Sequence, residues 1–155
     1  MDVFGKGRVL FAVASSYAVG FLGWLFIDAN LAEWYAGLAK PFLAPPASFF
    51  FFAWIILYGL IGIGLGAVWA HTPLWHSWPG LFYVSLAFNA AWSLFFLGLH
   101  VMFIALIDAV ILAFLLLMLM ISAVETDKRS AYFLIPYLAW VTFALYLTAG
   151  VWLMN

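Results

Sequence analysis

Residues 101–124 of the chain read VMFIALIDAVILAFLLLMLMISAV, an apolar run that contains a single charged side chain, that of Asp108. An α-helix needs about 20 predominantly apolar residues to cross the hydrocarbon core of a bilayer, so this run predicts a transmembrane helix. Four more stretches have the same character, at residues 9–27, 48–70, 79–99 and 131–153. The sequence therefore predicts an all-α fold: an integral membrane bundle of five transmembrane helices, in a single domain over residues 1–155.

The composition of the chain excludes an ordinary soluble protein. Hydrophobic residues make up 70% of the 155 residues and charged residues 7%, against about 45–50% and 25% in soluble domains. A net charge of −1 gives no electrostatic basis for binding nucleic acid. Because the chain has no cysteine, a disulfide framework, a thiolate nucleophile and a thiolate metal site are excluded.

Positive charges are distributed unevenly between the two ends of the predicted bundle. With five spans, one end holds Lys6, Arg8, Lys128 and Arg129, whereas the other end holds only Lys40. Cytoplasmic segments of membrane proteins carry an excess of Lys and Arg. The N-terminus is therefore predicted to be cytoplasmic if the protein resides in a cell membrane.

The connection over residues 28–47 is the longest between the predicted helices. Its residues Glu33 to Leu38 predict a short interfacial helix, which Pro41 ends. We interpret the segment as a stiff lid over one end of the bundle, with a simple interfacial anchor as the alternative. The predicted lid residues are Trp34, Tyr35, Lys40, Pro41, Pro45 and Pro46.

Three of the predicted helices each carry aromatic rings and a hydrogen-bonding group at helical spacing, which places them on one face of each helix. Turned inward, these faces would line a flat aromatic cavity with a few polar groups, as in many small-molecule pockets. Ordinary core packing is the alternative. The predicted ligand-binding residues are Trp54, Tyr58, Asn89, Trp92, Tyr137, Trp140 and Ala144.

Asp108 is an intramembrane polar residue, well inside the predicted fourth helix. A charged side chain at such a depth costs at least ~2.5 kcal/mol. Two interpretations are open: a ligand or proton site, or a carboxyl that is kept neutral or hydrogen-bonded to a neighbouring helix. The three histidines, His71, His76 and His100, have no paired carboxylate in the sequence, so no metal site is predicted.

Small residues at four-residue spacing occur on two of the predicted helices. The pairs are Gly62 with Gly66, and Ala87 with Ala91. Such pairs allow helix backbones to approach closely. The sequence leaves open whether the contacts form within one chain or between two chains.

Five motifs follow one another along nearly the whole chain. They are Trp34-Tyr35-Ala36-Gly37-Leu38-x-Lys40-Pro41-x-x-x-Pro45-Pro46, Trp54-x-x-Leu57-Tyr58, Ala87-Phe88-Asn89-x-x-Trp92 with Phe96-x-Gly98, Ala105-Leu106-Ile107-Asp108, and Pro136-Tyr137-Leu138-Ala139-Trp140. In this order they resemble the TspO/MBR family of translocator proteins, also called tryptophan-rich sensory proteins or peripheral benzodiazepine receptors.

The resemblance implies a five-helix bundle, often a homodimer, with a pocket under the first loop for porphyrins and drug-like hydrophobic molecules. Porphyrin or haem would be a ligand, and no cofactor is expected to be required. By position, the residues that match the family's pocket are Trp54, Asn89, Trp92, Trp140 and Ala144. Trp54 and Trp140 also match the tryptophans implicated in light-dependent porphyrin breakdown, which makes them the candidate catalytic residues if that activity occurs. The host membrane would be a prokaryotic cell membrane or the mitochondrial outer membrane.

The function expected from these features is that of a membrane binding protein or sensor for porphyrins and other flat hydrophobic ligands. The alternatives are a light- or oxygen-dependent porphyrin-degrading enzyme and a transporter of porphyrins or other small molecules. Animal members of the family carry a cholesterol motif late in the fifth helix, with a Tyr and then an Arg. No Lys or Arg follows Arg129 in this chain, so specific sterol binding is not expected.

Overall fold

A computed structural model describes residues 3–27, 31–72 and 78–155 of the chain. Within these ranges the chain is helical and has no β-strand, which confirms the predicted all-α fold. Five segments are long and apolar enough to span a bilayer: Gly5–Leu25, Ala47–Ala70, Trp78–Gly98, Met102–Thr126 and Tyr132–Met154. The chain is therefore an integral, multi-pass membrane protein. His76 and the first residues of the predicted lid loop, 28–30, lie outside the described ranges.

The α-helices are numbered in chain order. They are α1 (Val3–Leu25), α2 (Leu31–Gly37), α3 (Ala47–Ala70), α4 (Trp78–Trp92), α5 (Met102–Thr126), α6 (Lys128–Ala131) and α7 (Ile135–Met154). A π-helical segment, Ser93–Gly98, continues α4, and a 3-10 turn, Tyr132–Leu134, leads into α7. Pro136 lies in the first turn of α7, where a backbone N–H has no helical partner to lose.

Helix α1 begins at Val3, ahead of residue 9, where the apolar run of the sequence begins. The helix includes Arg8, whose Nη1 donates hydrogen bonds of 2.7 Å to the carbonyl oxygens of Trp69 and Thr72. Those carbonyls lie at the C-terminal end of α3, where backbone acceptors lack partners within the helix. Arg8, which directly precedes the apolar run in the sequence, thus holds the start of α1 against the end of α3.

Helices α1 and α3 pack at very short range through glycines of α3. A Cβ atom at Gly62 would lie 2.5 Å from the Cα of Val13, and a Cβ atom at Gly66 would lie 2.5 Å from the Cα of Val9. Only residues without a side chain permit this approach. The Gly62 and Gly66 pair therefore makes its close contact within the chain, whereas Ala87 on α4 is exposed on the outside of the bundle.

The remaining long helices complete the bundle around these two. Helix α5 packs against α4 and α7, and α1 also contacts α4. The short α6 and the 3-10 turn contact α3. Because the start of α1 is held against the end of α3, Arg8 and Lys128 lie at one end of the bundle, opposite to the loop that contains Lys40.

The link between α4 and α5 is short and tightly wound. The Leu99 N–H donates to the Leu94 carbonyl at 2.7 Å, and the Val101 N–H donates to the Phe95 carbonyl at 2.8 Å. His100 between them has a φ of 57°, a left-handed conformation in which Asn, Asp and His are the enriched non-glycine residues. π-Helical turns such as the one before this link are frequent at functional sites.

Candidate functional site

The centre of the site is a chain of three buried polar side chains from three different helices. The hydroxyl of Tyr58 on α3 donates to Asn89 Oδ1 on α4 at 2.5 Å. The Nδ2 of Asn89 donates in turn to the hydroxyl of Tyr137 on α7 at 3.0 Å. All three side chains are buried, so each polar atom needs a partner inside the bundle. The structure thus brings together the polar groups of the three stripes identified in the sequence.

Trp92 on α4 makes a second polar connection across the bundle. Its Nε1 donates to the hydroxyl oxygen of Thr148 on α7 at 3.1 Å. That hydroxyl donates to the carbonyl of Ala144 at 2.8 Å. The indole N–H of Trp92 is therefore satisfied by the protein itself, and its ring stacks on Phe96 with centroids 5.0 Å apart.

The indoles of Trp54 and Trp140 have polar atoms that the protein does not satisfy. Their rings meet edge to face with centroids 5.9 Å apart, and Trp54 also stacks on Tyr58 at 5.3 Å. The Nε1 atoms of both indoles are buried without a hydrogen-bond partner among the described residues. A buried donor left in this state costs about 1–3 kcal/mol.

The void among four of the predicted ligand-binding residues, Trp54, Asn89, Trp92 and Ala144, is small. The void that they enclose measures about 10 Å³, room for one water molecule at most. Its walls are Trp54, Asn89, Trp92, Ala109, Leu112, Val141 and Ala144. In this conformation the inner face of the site is therefore filled by its own side chains, and ligand binding by these residues stays a prediction.

A much larger cavity, about 520 Å³, lies on the other side of Trp54, between α1 and α3. Trp54 and Tyr58 belong to its wall, and so does Ser93 of the π-helical segment. The other lining residues are Tyr17, Gly20, Phe21, Gly23, Trp24, Ile27, Leu31, Ala47, Phe50, Phe51, Ile55 and Leu97. Sequence reasoning missed the whole contribution of α1, for which Gly20 and Gly23 were the available signal.

The large cavity opens sideways, toward the surface that the bilayer covers. Its rim includes Phe21 and Trp24 of α1 and Phe51 of α3, whose side chains are 58%, 54% and 56% exposed. All three residues lie within the membrane-spanning segments. The rim is therefore apolar and lies within segments that are long and apolar enough to span the bilayer, toward their lid-side ends.

The described part of the predicted lid, residues 31–47, packs against helices that line the cavity, and its role as a lid stays a prediction. Tyr35 on α2 is buried, its hydroxyl donates to the Pro45 carbonyl at 3.1 Å, and its ring meets Phe50 of the cavity wall edge-on at 5.8 Å. Burial raises the pKa of the Tyr35 hydroxyl, which keeps it a neutral donor. Pro46 precedes the first residue of α3.

Lys40 stabilises the lid itself. Its ammonium group donates to the carbonyl oxygens of Tyr35 and Leu38, both at 2.7 Å, and of Ala36 at 3.2 Å. A cation is favourable at the C-terminal end of a helix, where carbonyl groups lack partners. Lys40 therefore caps the C-terminal end of α2.

The end of α7 holds the lid in place. The Ala39 N–H donates to Asn155 Oδ1 at 3.0 Å, and Asn155 Nδ2 donates back to the Ala39 carbonyl at 3.0 Å. Nearby, a Cβ atom at Gly150 would lie 2.7 Å from Pro41 Cγ, so the lid packs closely on α7 there. Sequence reasoning missed Asn155, because its partner is 116 positions away.

Trp34 fixes the other side of the lid. Its ring lies parallel to that of His100, with centroids 3.8 Å apart and an interplanar angle of 9°. It also meets Phe96 of the π-helical segment edge-on at 5.8 Å. The lid helix α2 is therefore seated on the link between α4 and α5.

Asp108 is buried on the inward face of α5, with 4% of its surface exposed. Its Oδ2 atom has no hydrogen-bond partner among the described residues. Ala109 and Leu112, one residue and one turn further along the helix, line the small central void. The position is thus next to the site, and a role for Asp108 as a ligand or proton site stays a prediction.

Comparison with known proteins finds sequence similarity over most of the chain. The sequence model of the TspO/MBR family matches residues 12–153. Tryptophan-rich protein TspO of Archaeoglobus fulgidus is 33% identical over 150 residues, covering 96% of this chain and 97% of that protein. Translocator protein of Homo sapiens is 33% identical over 144 residues, covering 87% of this chain and 82% of that protein.

Proposed function

The chain belongs to the TspO/MBR family, and we propose that its ligands are porphyrins and other flat hydrophobic molecules. Family membership supports a role as a membrane binding protein or sensor. The observation that carries the choice of ligand is the cavity of about 520 Å³ with an apolar, aromatic lining. Small-molecule sites usually measure about 300–1,000 Å³ and combine such a lining with a few placed polar groups.

The first contacts of a ligand in this cavity would be with Trp54 and Tyr58. Both rings belong to the cavity wall, and flat aromatic molecules stack favourably on such rings. The Nε1 of Trp54 is buried without a hydrogen-bond partner among the described residues, so an acceptor group of the ligand reaches it only if the indole ring rotates toward the cavity. Tyr58 connects the cavity to Asn89 by its hydrogen bond, so the ligand would act on the polar chain through Tyr58.

The binding test uses protoporphyrin IX and the protein in lipid nanodiscs, with the Soret absorption band as the readout. We expect saturable binding by the wild type and about tenfold weaker binding by Trp54→Leu, because an aromatic partner contributes up to ~1.5 kcal/mol. Trp152→Leu is the control, since Trp152 is exposed and packs on Phe103. Equal affinity of the wild type and Trp54→Leu would show that this cavity is not the site.

Light-dependent breakdown of bound porphyrin by dioxygen is the second candidate function. Its support is the position of Trp54, which lies in the cavity wall and contacts Trp140 behind it at 5.9 Å. We expect porphyrin absorbance to decline in light and air, and to persist in the dark. A Trp54→Phe variant that binds porphyrin but degrades it at the wild-type rate would exclude this role.

We also propose that the N-terminus faces the cytoplasm when the protein resides in a cell membrane. Arg8 and Lys128 lie at one end of the bundle and Lys40 at the other. Because the chain has no cysteine, single-cysteine variants give labelling without background. An impermeant maleimide added to intact cells should label Ala36→Cys and spare Lys6→Cys. The reverse pattern would contradict the proposed orientation.

The homodimer also stays a prediction, which light scattering of the purified protein tests.

A further inference from the structure

We propose that His100 is a positioning residue that holds α2 closed over the ligand cavity through its ring stack with Trp34. The importance of this contact for ligand retention rests on the proposed function. The two rings are nearly parallel, at 9°, with centroids 3.8 Å apart. They join residues 66 positions apart in the sequence, one in the lid helix and one in the link between α4 and α5.

The position of α2 determines part of the cavity wall. Leu31, the first residue of α2, lines the cavity. Tyr35, one turn further along α2, packs edge-on against Phe50, which also lines the cavity. Trp34 lies between Leu31 and Tyr35 in the sequence of α2. A contact that holds Trp34 in place therefore also holds Leu31 at the cavity and Tyr35 against Phe50.

The link between α4 and α5 gives the His100 ring a defined direction. Backbone hydrogen bonds from Leu99 and Val101 to the π-helical segment hold the residues on either side of His100. Phe96 of the same segment supports Trp34 from a second direction, edge-on at 5.8 Å. Leu97, its neighbour, lines the cavity. The seat of the lid and the wall of the cavity are thus built on one short segment.

Position 100 has to satisfy two requirements that substitutions can separate. The backbone is left-handed, with a φ of 57°, which Asn adopts readily and a bulky residue does not. The stack needs a flat ring, which Phe provides and Asn does not. If the ring is what holds the lid, His100→Phe keeps α2 closed better than His100→Asn does. If only the turn matters, the order of the two variants is reversed.

The experiment measures lid opening and ligand release in the full-length protein in lipid nanodiscs. Hydrogen exchange of residues 31–37 reports opening in the ligand-free protein, and the dissociation rate of protoporphyrin IX reports retention. An aromatic pair is equivalent to about 2- to 12-fold in an equilibrium constant. We expect increases of this size in both quantities for His100→Asn and Trp34→Leu, and a smaller increase for His100→Phe, which keeps a flat ring but strains the turn. The double variant should add nothing further, because both substitutions remove the same contact.

Two results would overturn the inference. One is wild-type exchange of α2 in His100→Asn, and the other is faster exchange in His100→Phe than in His100→Asn. Trp152→Leu is the matched control, since Trp152 is an exposed tryptophan near the lid-side end of α7, and it should change neither quantity. If the wild type does not bind protoporphyrin IX, the proposed function fails. The exchange measurement then still decides whether the stack holds the lid.

Discussion

The ring of Tyr58 lies directly against Gly20, so that a Cβ atom at position 20 would come within 2.5 Å of Tyr58 Cε2. Helix α1 thereby sets the position of the tyrosine that lines the cavity and bonds to Asn89. The hydrogen-bonded chain that joins α3, α4 and α7 therefore requires that position 20 of α1 carry no side chain.

Gly20→Ala should therefore weaken ligand binding while leaving the bundle folded. The new methyl group displaces the Tyr58 ring, which strains its hydrogen bond to Asn89 and reduces the cavity. We expect about tenfold weaker binding of protoporphyrin IX, corresponding to ~1.4 kcal/mol, measured by Soret titration. The matched control is Gly80→Ala, because a Cβ atom at Gly80 meets no atom within 4 Å. Equal binding by the two variants would refute the role of Gly20.

Gly62→Ala should destabilise the protein by about 1–3 kcal/mol, the usual cost of forcing extra atoms into a packed contact. The added Cβ would lie 2.5 Å from the Cα of Val13, and backbone atoms cannot move aside as a flexible side chain can. Unfolding in mixed micelles measures the change, with Gly37→Ala as the control because its Cβ meets nothing within 4 Å. If both variants have the same free energy of unfolding, the close contact of α1 and α3 at Gly62 does not contribute to stability.

Tyr137→Phe should cost about 1–3 kcal/mol of stability, because it leaves the buried Nδ2 of Asn89 without its acceptor. Tyr146→Phe, at an exposed tyrosine of the same helix, should stay within about 0.5 kcal/mol of the wild type. The same unfolding assay compares them. A Tyr137→Phe variant as stable as Tyr146→Phe would mean that Asn89 finds another partner.

Asn155→Ala should loosen the lid without unfolding the spans. The substitution removes both hydrogen bonds between Asn155 and the Ala39 backbone. Because these bonds are exposed, we expect only about 2- to 10-fold faster hydrogen exchange at Ala39, with unchanged exchange in α5. Met154→Ala is the control. Unaltered exchange at Ala39 would show that the contact of Pro41 with Gly150 holds the lid alone.

Local patterns predicted the features that local physics determines. An apolar run such as residues 101–124 is long enough to cross a bilayer as a helix, and Pro41 follows the short helix α2 in the structure as it does in the predicted lid. The sequence did not predict features that depend on a contact with a residue distant in sequence, such as the start of α1. Arg8 precedes the apolar run over residues 9–27, yet it lies inside α1 and its side chain donates hydrogen bonds to the end of α3.

The candidate site divides in the same way. Helical spacing placed Asn89 and the two tyrosines on inward faces, and the structure joins them by hydrogen bonds. The empty space lies elsewhere, beside α1, because side-chain packing fills the centre and leaves room where Gly20 and Gly23 carry no side chain. Packing of this kind depends on all neighbours at once and leaves little trace in a one-dimensional pattern.

The sideways opening between α1 and α3 has a consequence for how occupancy is controlled. A ligand that enters through this rim is drawn from the pool dissolved in the bilayer, and its aqueous concentration matters only through partitioning. Apparent dissociation constants calculated from the total ligand concentration in the sample should then rise with the amount of lipid present. Compounds would also rank partly by their membrane solubility, and comparison of affinities requires concentrations expressed per lipid.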